Sequence, residues 1–130
     1  SSSQNQQKDE INIPDTKRFV VPDVKMYTIL INEMGKQGHW DRATATVNKM
    51  RERGIQPNVI TYNSLIDGCS KSGKWRQALQ FLEEMEAYGN TIPELKPDVV
   101  SYTTAISACG RVGEWRRSLS LLKLMEEKNL

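Results

Sequence analysis

The sequence predicts an all-α fold, a right-handed α-solenoid of three stacked helix-turn-helix repeats with six helices. Two observations carry this. First, Trp40, Trp75 and Trp115 stand 35 and then 40 residues apart. The same intervals relate Pro22, Pro57 and Pro97; Val24, Val59 and Val99; Tyr27, Tyr62 and Tyr102; Gly38, Gly73 and Gly113; and Met50, Met85 and Met125. Chance does not supply six concordant triplets, and self-similarity at such a period marks a repeat array. Second, the apolar residues within each unit recur at i, i+3, i+4 and i+7, the period of an amphipathic helix.

The elements follow in order. Residues 1–18, headed by SSSQNQQKDE, are polar and low in complexity and are expected to be disordered. Residues 18–23 read as the tail of a preceding repeat, and the array as a whole is assigned to 19–130, with repeats 24–58, 59–98 and 99–130. The first helix of each unit is expected over 24–36, 59–71 and 99–111. Their apolar faces are Tyr27, Leu30, Ile31 and Met34; Tyr62, Leu65, Ile66 and Cys69; and Tyr102, Ala105, Ile106 and Cys109. Asp23, Asn58 and Asp98 precede them as capping side chains for unpaired helix N–H groups. The second helices are expected over 41–53, 75–88 and 115–128, on Trp40, Ala43, Val47 and Met50; Trp75, Ala78, Leu79, Leu82 and Met85; and Trp115, Ser118, Leu119, Leu122 and Met125. Gly38, Gly73 and Gly113 permit the turn inside each pair, and Gly54 and Gly89 stand where the second helix should stop. The five extra residues of the middle unit fall between Gly89 and Pro97, where a loop is expected. A helix pair cannot bury its own apolar faces, so the units must stack, first helices on one surface and second helices on the other.

Composition narrows the function. With 130 residues, 38% hydrophobic and 26% charged, the chain has material for a core and none for two large domains. No apolar run approaches the roughly 18 residues of a membrane span, so no membrane partner is expected. The net charge of +2 does not demand a polyanion partner, although it allows a local basic stripe. Cys69 and Cys109 could make one disulfide at most, which points to a reducing compartment, and their place on apolar faces makes them small hydrophobes. The N-terminal residues have neither a signal peptide's apolar stretch nor an Arg-rich transit segment, and Ser1 in place of Met reads as a processed or excised chain.

No catalytic site is expected. There is no Gly-rich phosphate loop, no Ser or Cys paired with an activating His, and no deaminase signature. His39 is the only histidine and sits in a turn, so no zinc site of usual spacing assembles. No cofactor, metal or small-molecule substrate is implied. Glu83, Glu84, Glu86, Glu126 and Glu127 cluster on second helices and are read as solvated.

The unit VITYNSLIDGCSKSGKWRQALQFLEEMEAYG, followed after the insertion by Pro97-Asp98, resembles a pentatricopeptide repeat of the family that binds organellar RNA. The resemblance covers residues 24–130 and rests on the Tyr-Thr or Tyr-Asn step, the mid-repeat Gly, the Ala or Ser of the second helix, the late Met and the terminal Pro-Asn or Pro-Asp. A tetratricopeptide repeat would carry Trp early in its first helix, whereas here Trp opens the second. The resemblance implies a sequence-selective binder of single-stranded RNA in a mitochondrion or chloroplast, acting in processing, splicing, stability or translation, with no catalysis. In such families one base is held per repeat by two or three side chains.

By that resemblance the residue after the repeated tyrosine and the last residue of the repeat read the base. Thr28 with Asn58 implies adenine, Asn63 with Asp98 implies uracil, and Thr103, whose partner lies past Leu130, implies a purine. The residue after each opening valine flanks the bases as an apolar wedge. Ile60 and Val100 fit this type and Lys25 departs from it. Lys36, Lys71 and Arg111 recur near the ends of the first helices, where they suit either a phosphate track or the negative end of a helix dipole.

Duller readings stand beside these. Thr28, Asn63 and Thr103 are also types that bond nearby backbone at helix starts, and Asn58 and Asp98 are caps in any case. The tryptophans and the three repeat tyrosines could stack on bases, but their place on the apolar stripe favours core packing. Three repeats read about three bases, so the array would work within a longer array, as a homodimer or with a protein partner. The competing function is a protein-interaction scaffold or dimerising adaptor, favoured by the near-neutral charge and by any large apolar patch on the first-helix surface.

Overall fold

The computed structural model describes residues 23–130, so the expectation of disorder over 1–18 and most of the tail read over 18–23 lie outside the described residues. The described residues form six α-helices and one short 3-10 turn: α1 Val24–Lys36, α2 Trp40–Glu52, α3 Val59–Lys71, α4 Trp75–Gly89, the 3-10 turn Pro93–Leu95, α5 Val99–Arg111 and α6 Trp115–Glu127. The first helices open where expected because their caps are made. Asp23 accepts from the Met26 N–H at 3.0 Å, Asn58 from Thr61 at 3.1 Å and Asp98 from Ser101 at 3.0 Å. Such a cap is worth about 1 kcal/mol. The turn inside each pair places Gly38, Gly73 and Gly113 at φ of 81°, 72° and 82°, which a side chain would strain.

The first helices pack on one another in sequence, α1 on α3 and α3 on α5, while α2 and α4, or α4 and α6, make no close backbone approach. A layer that packs tightly beside a layer that splays curves toward the tight side. The first helices therefore line the inner surface and the second helices the outer one, as the solenoid reading requires. The core between them holds Tyr27, Ile31, Tyr62, Leu65, Ile66, Cys69, Tyr102, Ala105 and Cys109 from the first helices, with Ala43, Val47, Met50, Ala78, Leu82 and Met85 from the second. Both cysteines are free and buried. Burial pushes the Cys69 thiol up to about 11, and it raises Cys109 as well.

Four expectations need correction. The insertion is not a bare loop: Leu95 of the 3-10 turn is fully buried and Ile92 packs against the core. Gly89 does not stop α4 with a left-handed residue but lies in the helix, where a Cβ would come within 2.9 Å of the Lys96 Cα. It is small because the returning chain crosses there. The tryptophans are not fully core. Trp40 and Trp75 are partly buried against it, each with a cation of the next unit over its ring, but Trp115 is 61% exposed at the edge of the core, with Arg116 of its own helix 5.1 Å from its ring. Lys74 lies 5.8 Å from the Trp40 ring and Arg117 5.0 Å from Trp75. Leu119 and Leu122 are likewise exposed, since among the described residues the α6 backbone comes close only to that of α5.

Candidate nucleic-acid interface

The N-terminal ends of α3 and α5 gather the side chains of interest. At each, a buried proline, Pro57 or Pro97, delivers the chain in extended form to the cap residue. A reciprocal capping box then fixes that residue. The Asn58 side chain takes the Thr61 N–H while Thr61 Oγ1 accepts from Asn58 N at 3.2 Å, and Asp98 and Ser101 repeat the exchange at 3.0 Å.

Across this junction reaches the first helix of the preceding repeat. Asn63 Nδ2 donates to Asp98 Oδ1 at 3.1 Å, and Ser101 Oγ donates to Asn63 Oδ1 at 2.6 Å. The insertion lying between Asn63 and Asp98 in sequence leaves them in direct contact. Burial pushes the Asp98 carboxyl up, but donation from the Ser101 N–H, the Asn63 amide and the Val100 N–H outweighs it and holds the group below the usual aspartate range. Asp98 is thus an anion at neutral pH and only accepts.

The other pair is joined through an intermediary. Thr28 Oγ1 donates to the Val24 carbonyl at 2.6 Å, the local backbone bond expected of a threonine near a helix start. Its oxygen lies 2.9 Å from Thr61 Oγ1, which in turn lies 3.1 Å from Asn58 Oδ1. Thr103, at the matching register of α5, is exposed.

The flanking positions stand open beside these groups: Ile60 is 61% and Val100 54% exposed, and Lys25 is exposed too. Lys36, Lys71 and Arg111 each end a first helix, about 12 Å along the axis from Thr28, Asn63 and Thr103. Lys36 lies 3.9 Å from Glu33 and Lys71 2.8 Å from Asp67, exposed pairs within their own helices, and Arg111 is exposed. The dipole placement is real in all three.

The repeat tyrosines are core, as expected, at 1%, 0% and 0% exposure. Their hydroxyls reach the second helices: Arg53 donates to Tyr27 at 3.0 Å, Arg51 donates to Tyr62, Tyr62 donates to Glu84 at 3.3 Å and Tyr102 donates to Glu86. Glu84 and Glu86 are therefore partners of buried phenols and not the solvated residues expected. Burial pushes Glu84 up, with the Arg51 charge opposing. Beside them, Arg51, Gly54, Ile55, Gln56, Tyr88, Ile92 and Leu95 line a cavity of about 330 Å³, walled on one side by the insertion.

Sequence reasoning missed Thr61 and Ser101. The signal was there, in the Asn58-x-x-Thr61 and Asp98-x-x-Ser101 spacing of a capping box, but nothing in it shows that the hydroxyl also reaches the preceding repeat. Among the described residues no group of three or more His, Cys, Asp and Glu side chains could hold a metal ion, and no helix is long and apolar enough to cross a membrane.

Stacked helical hairpins with a polar pair at each described junction define a helical-repeat protein. Residues 22–71 and 57–92 match the PPR repeat family and residues 100–130 match the PPR repeat, so the chain belongs to the pentatricopeptide repeat family. No curated protein matches it. Among solved structures it is similar to the pentatricopeptide repeat protein PPR10 from maize, with a TM-score of 0.75 and 23% identity over 99% of this chain and 17% of that one. It is also similar to PPR10 in complex with an 18-nt psaJ RNA element, with a TM-score of 0.74 and 26% identity over 98% of this chain and 18% of that one. The chain thus spans under a fifth of the solved relatives' length.

Proposed function

We propose that this chain is a sequence-selective, single-stranded RNA-binding segment of a mitochondrial or chloroplast protein, without catalysis of its own, acting in RNA processing, splicing, stability or translation. The observation that carries the reading is the Asn63–Asp98 pair, brought to 3.1 Å across a repeat junction beside the exposed wedges Ile60 and Val100. A polar pair on an inner surface, flanked by apolar side chains open to solvent, is what holding one splayed base demands. The solved relative bound to an 18-nt RNA element supports this use of the fold. Thr28 with Asn58 reads adenine, Asn63 with Asp98 reads uracil, and Thr103 contributes to a purine site. Lys25 replaces the first wedge with a cation, and Lys36, Lys71 and Arg111 offer contacts to phosphates.

The test is selection from short single-stranded RNA pools, against matched DNA and duplex RNA, at two salt concentrations, with sequencing of the retained molecules. Enrichment of an adenine-uracil-purine run that weakens with salt is the expected result. Replacing Asn63 with Thr should move the middle preference toward guanine. Absence of binding at low salt would overturn the reading in favour of a protein-interaction scaffold.

A further inference from the structure

Thr61 and Ser101 are 0% exposed, so neither can touch a bound base, yet each hydroxyl is the centre of a pair assigned above to base reading. We propose that these two hydroxyls are positioning residues for base recognition, each supplied by the repeat that follows the base-reading side chain and each setting which hydrogen-bonding groups that side chain offers. The proposal rests on the RNA-reading function above and names what sets its selectivity.

The argument is clearest at Asn63. A side-chain amide has two N–H donors and two acceptor lone pairs, and a half-turn exchanges them. Asp98 Oδ1 can only accept, so the amide nitrogen must face it, and it does at 3.1 Å. Ser101 Oγ lies 2.6 Å from the amide oxygen and 3.0 Å from Asp98 Oδ1. It has one hydrogen, and the shorter contact takes it. The backbone N–H of Asp98 donates to the same hydroxyl at 3.0 Å, which leaves that hydrogen free to point at Asn63. Carboxylate and hydroxyl therefore impose the same orientation from two sides. One N–H and one lone pair of Asn63 remain for a base, in a fixed order.

That order separates the two pyrimidines. Uracil presents an N–H at N3 between two carbonyls, whereas cytosine presents a bare acceptor at N3 beside an amino donor. An amide held one way satisfies the first pattern, and the same amide turned over satisfies the second. Without the Ser101 hydroxyl only the carboxylate restrains the turn. At the preceding junction Thr28 gives its single hydrogen to Val24, and its oxygen meets Asn58 only through Thr61 Oγ1. There the buried hydroxyl links the two members of the pair.

The experiment measures binding of the full chain to RNAs that differ in one base at a time. Ser101→Ala should lower the uracil-over-cytosine ratio at the middle position about five-fold, the factor carried by a hydrogen bond of ordinary net worth. Ser101→Thr should restore the ratio, and the adenine preference at the first position should not move. Thr61→Val, which keeps shape and removes the hydroxyl, should weaken the first preference and spare the second. Hydrogen exchange of the Asn63 side-chain amide in the RNA-free protein should quicken in Ser101→Ala. Loss of a helix cap alone would weaken binding to uracil and cytosine RNAs equally, and that result, with unchanged exchange at Asn63, would overturn the proposal while leaving the RNA reading intact. A wild-type chain with no base preference at the middle position would overturn both.

Discussion

Substituting Gly68 by Ala tests how closely the inner helices are set. At the crossing of α1 and α3, a Cβ on Gly68 would lie 2.8 Å from the Gly35 Cα, and one on Gly35 would lie 3.1 Å from the Gly68 Cα. The obstructing atoms are backbone, so no rotamer change relieves the contact and the helices themselves must part. Helix propensity alone would reward Gly→Ala by about 1 kcal/mol, whereas forcing a methyl into a packed contact costs about 1–3 kcal/mol. Since the shortest contact is to backbone, the upper part of that range applies, and Gly68→Ala should destabilise by about 1–2 kcal/mol. Gly35→Ala, where a few tenths of an ångström suffice, should fall near zero. The next crossing, α3 with α5, carries Ser70 and Ala108 at the same two registers, both buried, so the tightness belongs to this pair. The Thr28–Thr61 contact spans the same two helices at 2.9 Å, and parting them should weaken base preference at the first position and spare the second. Urea unfolding followed by far-UV circular dichroism reads the stability. If Gly68→Ala stabilises the chain, as propensity alone would have it, the close crossing is refuted.

The remaining predictions address the insertion, the cations and the acid cap. Leu95→Ala should cost about 2–5 kcal/mol, as for a buried core leucine, measured by the same unfolding; a near-zero change would return the insertion to the status of a surface loop. Replacing Lys36, Lys71 and Arg111 together with Gln should reduce the slope of log affinity against log salt by about 2, at about 0.7 per neutralised phosphate on a single strand; an unchanged slope would leave them with the helix dipole alone. Because Asp98 is held below the usual aspartate range, its contribution to stability is complete above the unfolded-state value and is lost as pH falls through the folded one. Melting from about pH 6 to about pH 3 should therefore show a loss that Asp98→Asn lacks, and equal acid sensitivity in the two chains would contradict the assignment.

The architecture was legible because it is written several times. Helix starts followed from Asp23, Asn58 and Asp98 with their prolines, and the inner faces from the repeated tyrosines and the aliphatic residues after them. What periodicity could not deliver was anything occurring once or crossing between units. The insertion exists in a single repeat, so no second copy showed that Leu95 would fill a hole in the core. Trp115 matches Trp40 and Trp75 in sequence, yet its exposure depends on a neighbouring unit, which a residue's own register does not encode. Glu84 and Glu86 read as solvated because their partners, Tyr62 and Tyr102, lie 22 and 16 residues away. The pairs proposed for recognition were suggested only by family resemblance, since Asn63 and Asp98, which the fold brings into contact, are 35 residues apart. Thr61 and Ser101 were missed because their contact with the preceding repeat leaves no mark in the sequence of their own.

The survival of the Asn63–Asp98 contact across five inserted residues shows what sets the register of the polar pairs along the inner surface. If the connector between α4 and α5 placed Asp98, lengthening it would have displaced the cap from Asn63. Asp98 is placed instead by the packing of α5 on α3, through the layer that contains Tyr62, Leu65, Ile66, Tyr102 and Ala105. The extra residues leave that layer alone: α4 runs on to Gly89, the 3-10 turn buries Leu95 against α4 and α3, and the chain returns past Gly89 to Pro97 before the cap begins. Lengthening a connector costs little in itself, about 0.6 kcal/mol for each doubling, and the buried Leu95 and packed Ile92 offset that cost. Spacing along the inner surface is therefore a property of first-helix packing and is decoupled from the length of chain between repeats. A chain built this way can acquire a cavity and a new surface at one junction, as it has beside Arg51 and Tyr88, without moving the neighbouring Asn63–Asp98 pair out of step.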